Sequence, residues 1–167
     1  MLDIDNPGWS YWTRINLNSL CVRYVQDVWY QAFPGNPGID NMLKLSHAVA
    51  EGAVDPGQAQ GKANPFFHDV LFDTEFDEIT EPATLVADAA RRAVISACHR
   101  ELYYEVDLES DLEDDDLLPD SLDLSYACTA EVAHGLNWQD IQEVDVDARR
   151  TFWLWYLNDA IPSVLRN

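Results

Sequence analysis

Leu17-Asn-Ser-Leu-Cys-Val-Arg-Tyr-Val-Gln-Asp-Val-Trp-Tyr-Gln-Ala-Phe33 carries apolar side chains at Leu17, Leu20, Cys21, Tyr24, Val25, Val28 and Ala32. That recurrence at threes and fours puts them on one face of an α-helix and leaves Arg23, Gln26, Asp27 and Gln31 outward. Pro34-Gly-Asn-Pro-Gly38 stops the ladder, because proline lacks the amide and glycine favours the reversal. Asp40 or Asn41 then opens a shorter helix ending near Gly52, so the two should form a helical hairpin.

Gly52 to Pro65 turns to Gly, Pro, Gln, Ala and Asn without an apolar period, which predicts a surface loop. Phe66, Phe67, Leu71, Phe72 and Phe76 return at mixed spacing among acids, compatible with a helix or an irregular turn. Thr80-Glu-Pro-Ala83 is a helix start with a Thr or Glu cap and a proline in the first turn. That helix is expected to run to about Tyr104 on a buried stripe of Val86, Ala90, Ala93, Val94, Ala97 and Leu102. Its alanines admit a close neighbour, and Asp88 can pair with Arg92 at i,i+4.

Ser121 can cap a helix that stops at Gly135, and Asp145 or Asp147 a last one containing Phe152-Trp-Leu-Trp-Tyr-Leu157, closed by Pro162. A helix apolar on all sides is either central in a bundle or keeps one aromatic face for a partner. With no repeat and no strand alternation, residues 1–167 read as a single all-α domain, a bundle of about five or six helices with an acidic loop.

The chain can support such a core. Of its 167 residues 47% are apolar, six being Trp, seven Tyr and six Phe, which excludes wholesale disorder. Ten Lys and Arg stand against thirty Asp and Glu, a formal charge of −20. Sixteen acids and no Lys or Arg fall between Arg100 and Arg149, so phosphate neutralisation is excluded and a basic protein or a cation is the natural partner. Cys21, Cys98 and Cys128 are odd in number and widely spaced among apolar residues, as expected for small buried thiols in a reducing compartment. The N-terminal residues lack a basic lead and an apolar core, and nowhere do eighteen apolar residues run together, so a cytoplasmic location is expected.

Specific chemistry finds little support. An EF-hand loop begun at Asp107 places Leu112 at the glycine position and Leu118 at the bidentate glutamate. Zinc ligands should arrive in close pairs, yet His47, His68, His99 and His134 are scattered and only Cys98 and His99 adjoin. The spacing from Arg92 to His99 resembles that of the helical HEPN ribonucleases over eight positions. Ala93 departs from that pattern, and so acidic a chain repels RNA. No Gly-x-Ser-x-Gly elbow or phosphate-cradling glycine loop is present. The expectation is no catalytic residue, no metal and no cofactor.

Glu105 to Asp123 holds ten acids and no base. Its carboxylates at Asp107, Glu109, Asp111, Glu113, Asp114, Asp115 and Asp116 are the candidate partner-binding groups, with Trp155 and Tyr156 as candidate aromatic anchors inside a charged rim. A DNA-mimic inhibitor is the alternative, although a duplex spreads its charge evenly and this segment concentrates it.

The segment Ala148-Arg-Arg-Thr-Phe-Trp-Leu-Trp-Tyr-Leu-Asn-Asp-Ala-Ile-Pro162 resembles the ending of an all-helical family of bacterial immunity proteins, in which an Arg-rich lead enters a Phe-Trp helix and an Ala-x-Pro close. The resemblance implies a non-enzymatic protein made beside a polymorphic toxin, which binds that toxin and protects the producing cell. Many such toxins act on nucleic acid and are basic, the partner that the charge of this chain independently suggests.

Overall fold

A computed structural model describes residues 7–99, 128, 142 and 144–166, with side chains from Tyr11 onward. Among these residues the fold is all-α: α1 (Pro7–Ala32), α2 (Gly38–Ala50), α3 (Pro56–Asp73), α4 (Thr80–Cys98), α5 (Val146–Trp155), a π turn (Tyr156–Ala160) and α6 (Ile161–Leu165). The acidic loop and, save for Cys128, the expected helix from Ser121 to Gly135 lie outside the described residues. The fourth helix, expected to run to about Tyr104, ends instead at Cys98, with His99 already extended.

Helix α4 is the axle, packed by α1, α2 and α3. Ala83, Val86, Ala87, Ala89, Ala90, Ala93, Val94 and Ala97 are all buried. Short side chains on so much of its circumference let three backbones approach at once, as the alanine content predicted. On its open side, Asp88 takes Arg92 at 2.8 Å and also Arg91 at 2.7 Å.

Helix α1 begins ten residues before the quoted stretch, and its core line overlaps the predicted one at Cys21 and Val25, with Val28 and Ala32 packed against it, but is wider. Ile15, Val22 and Trp29 are sealed as well, whereas Tyr24 keeps 39% of its surface exposed. Gln26, predicted outward, is buried together with Asn18 and Ser19. Buried polar groups persist where partners are supplied, and here both neighbours supply them. Asn18 Nδ2 donates to Ser96 Oγ at 3.1 Å, and the Tyr11 hydroxyl to the Ala97 carbonyl at 2.6 Å. The Arg14 guanidinium donates to the carbonyls of Ser96 and His99. Side chains of α1 thus satisfy the open C-terminal carbonyls of α4, which a helix cannot satisfy by itself.

Gln26 belongs to a network that fixes α2 on α1. Tyr30 donates its hydroxyl to Asp40 Oδ2 at 2.5 Å, Gln26 Nε2 donates to Asp40 Oδ1 at 3.1 Å, and Arg23 stands 3.7 Å from that oxygen. The Tyr30 bond, then the Gln26 bond, holds the Asp40 carboxyl below its ordinary value of 3.8. A depressed folded value means that the unfolded chain binds the proton more readily. The contribution is therefore present above pH 3.8 and lost as the pH falls through the lower folded value. Urea midpoints of wild type and Asp40→Asn, followed from about pH 6 down to about pH 2, should differ most at the upper end and converge at the lower.

The predicted loop from Gly52 to Pro65 is instead mostly helix. Gly52 adopts a φ of 76°, which ends α2 by the expected route. Three residues later Asp55 caps α3, its carboxylate accepting the Gln58 amide at 3.1 Å, with Pro56 in the first turn. Ala59, Ala63 and Val70 are buried and α3 packs on α4, so the apolar period was real but written in alanines. Pro65 inside the helix forgoes one backbone bond, a penalty of about 3 kcal/mol that this packing offsets.

Pro162 likewise does not close the last helix. The chain widens at Tyr156–Ala160, where the Ile161 amide reaches back to the Tyr156 carbonyl, and then continues as α6 with Pro162 in its first turn. The change of register puts a residue without an amide where a new helical segment starts, the position proline tolerates.

Candidate partner-binding surface

Asp107, Glu109, Asp111, Glu113, Asp114, Asp115 and Asp116 lie outside the described residues. Trp155 and Tyr156 are described, and local capping places them. Of the two predicted caps Asp145 is used, accepting the Ala148 amide at 2.9 Å, and it sets the phase that turns Phe152 fully inward. Tyr24 of α1 meets Phe152 edge-on at 5.1 Å and Trp155 at 4.4 Å, while Tyr156 stacks on Phe152 at 6.2 Å. Trp155 and Tyr156 are therefore half-buried in an aromatic joint between α1 and the C-terminal helix. Leu154 and Leu157 are the open members of the six-residue run, at 55% and 58% exposure. Nearby charges are mixed: Asp145, Asp147 and Asp159 against Arg149, Arg150 and Arg166.

A second surface was not singled out from the sequence. At the corner where α3 gives way to α4, Phe72 is 67% exposed, Ile79 57%, Phe76 48% and Leu71 38%. Asp69, Asp73, Glu75, Asp77, Glu78 and Glu81 alternate with them along the chain, every one exposed. No Lys or Arg occurs between Lys62 and Arg91. Arg91 is itself held by Asp88 at 2.7 Å and lies 5.2 Å from the centre of the Phe67 ring.

The corner is built to hold one shape. Asp77 Oδ1 accepts the amides of Ile79 and Thr80 at 2.9 and 2.8 Å, and Thr80 Oγ1 lies 2.9 Å from the Glu75 carbonyl. This Asx-type turn starts α4, so the capping side chain is Asp77 and not the Thr80 or Glu81 expected from sequence. The bonds from Thr80 and Ile79 hold the Asp77 carboxyl below its ordinary value. The ring of His68, one turn earlier on α3, rests 4.2 Å from that of Phe72.

Other candidates come out as helix contacts. Arg92 is turned toward Asp88, and His99 follows the end of α4, where its carbonyl receives Arg14. Ser19 Oγ and His47 Nε2 lie 3.1 Å apart, but Ser19 is buried and the pair joins α1 to α2. Cys21 and Cys128 are buried; Cys98 is half-buried, and burial pushes its thiol up. Among the described residues no group of three or more His, Cys, Asp or Glu is placed to hold a metal ion, and no helix is long and apolar enough to cross a membrane.

No curated protein matches this chain. A family model does: that of the immunity protein Imm5, over residues 4–163.

Proposed function

The chain belongs to the Imm5 immunity protein family, and from that premise we propose that it neutralises a cognate toxin, basic and directed at nucleic acid, by binding it through an acidic surface in the cytoplasm of the producing cell. Family membership implies the toxin partner. The formal charge of −20, with long tracts free of Lys and Arg, is the observation that carries the mode of binding. A field of that sign attracts a protein evolved to hold phosphate and repels nucleic acid itself.

On this reading the chain acts by occupancy and performs no chemistry. Asp107, Glu109, Asp111, Glu113, Asp114, Asp115 and Asp116 steer the encounter, and Trp155 and Tyr156 offer ring surface for contact. Growth of a host expressing the toxin encoded beside this gene tests the proposal. Co-expression of the chain should restore growth, and the two should purify as a one-to-one complex. Continued killing at matched expression would overturn the reading.

A further inference from the structure

We propose that the corner between α3 and α4 is where the toxin seats, its Phe72 and Ile79 entering an apolar recess rimmed by Lys or Arg on the toxin. This inference rests on the toxin-binding reading above and adds a location and a chemistry to it.

Two apolar surfaces stand open among the described residues, and they differ in what surrounds them. Around Leu154 and Leu157 the charges are balanced, so nothing there specifies an occupant. The stretch that carries Phe72, Phe76 and Ile79 holds six exposed carboxylates and no Lys or Arg from residue 63 to residue 90. An anionic or merely apolar partner would leave those acids desolvated and unpaired, whereas a cationic rim pairs with each. An apolar centre inside a charged ring is also the anatomy of a protein–protein contact whose energy is concentrated in a few large side chains.

The turn geometry adds a second argument. Exposed aromatic side chains on a loose loop would have to be ordered on binding, at a cost in affinity. Here the bonds of Asp77 to Ile79 and Thr80, and of Thr80 to Glu75, fix the backbone that carries Phe76 and Ile79, and Phe72 sits on helix α3. The anchors are presented in place before the partner arrives. Nor does the fold account for them: Phe72 and Ile79 leave more than half of their surface in water, an unfavourable arrangement for the free protein.

The test uses the full chain and the purified toxin domain from the adjacent reading frame, with binding measured by calorimetry and stopped-flow fluorescence. Phe72→Ser with Ile79→Ser should weaken binding by at least about thirtyfold, mainly through faster dissociation. Both positions are exposed, so melting temperature and circular dichroism should match wild type. Asp73→Asn with Glu75→Gln and Glu78→Gln spares Asp77 and should instead lower the association rate and flatten its salt dependence. Val146→Ser, an exposed apolar position on α5, should change neither rate. If wild type binds but the Phe72/Ile79 variant binds within about threefold of it, the corner is not the seat and the toxin reading stands. If wild type itself does not bind, the toxin reading falls and this inference with it.

Discussion

Replacing Trp29 with alanine is expected to destabilise the fold by about 3 to 5 kcal/mol, the range for removing a large aromatic side chain from a packed core. Trp29 is 1% exposed and is the largest fully buried side chain among the described residues. Its ring meets Phe33 at 4.4 Å and Phe66 at 5.7 Å, and its indole N–H donates to the Asn36 carbonyl at 3.0 Å. That bond ties the α1–α2 turn to the core, and Gly38 closes the seat from the other side. A Cβ at Gly38 would stand 2.7 Å from Phe66 Cε2 and 3.0 Å from Trp29 Cζ2. Surroundings this tight cannot collapse fully into the space an alanine leaves, so the cavity penalty adds to the lost burial. In a chain of this length the melting temperature should fall by roughly 10 °C. Trp29→Phe separates the two contributions: it retains most of the packing and loses the indole bond, at about 1 kcal/mol plus the volume difference. A loss under about 1 kcal/mol for Trp29→Ala, against the expected range, would show that the hairpin is not anchored there.

Trp29 also shows how far the sequence could be read. The period of threes and fours between Leu17 and Phe33 identified a helix correctly, but several sides of α1 are apolar and the period alone did not say which side faces inward. The answer lies in the neighbours. Ser96, Ala97 and His99 at the end of α4, and Asp40 on α2, give Asn18, Tyr11, Arg14 and Gln26 their partners, and none of those pairings is local in sequence.

The alanine stripe of α4 was legible because its inward face has no competing polar residues. Helix α3 was not, because Ala59 and Ala63 bury little apolar area each and sit among Gly57, Gly61 and Pro65, residues that ordinarily mark a loop. Its signal was present in Asp55 followed by Pro56, a cap and a proline at a helix start. The same holds for the α3–α4 corner. Phe72, Phe76 and Ile79 among six acids were visible in the sequence, but their exposure depends on how α3 packs and on the turn held by Asp77, neither of which the local pattern specifies. The Arg-Arg-Thr-Phe-Trp ending, by contrast, pointed to the family that the match over residues 4–163 identifies.

The second large effect is kinetic. Substituting lysine for Asp111, Glu113, Asp114, Asp115 and Asp116 together halves the formal charge of −20 and reverses the densest acidic run. Electrostatic steering raises on-rates by about 10 to 10³-fold, so the variant should associate with the toxin at least about tenfold more slowly. Dissociation should change far less, because charges that act at a distance from a contact affect mainly the encounter. An off-rate effect equal to the on-rate effect would place the run inside the interface instead of around it.

A strong, sign-specific attraction should draw this chain to its toxin. The association rate of wild type with the toxin domain, measured by stopped-flow fluorescence from low to high ionic strength, addresses it directly. A fast rate at low salt that falls steeply as salt is added, with a shallower fall for the five-lysine variant, is the predicted outcome. A rate indifferent to salt in both proteins would contradict it.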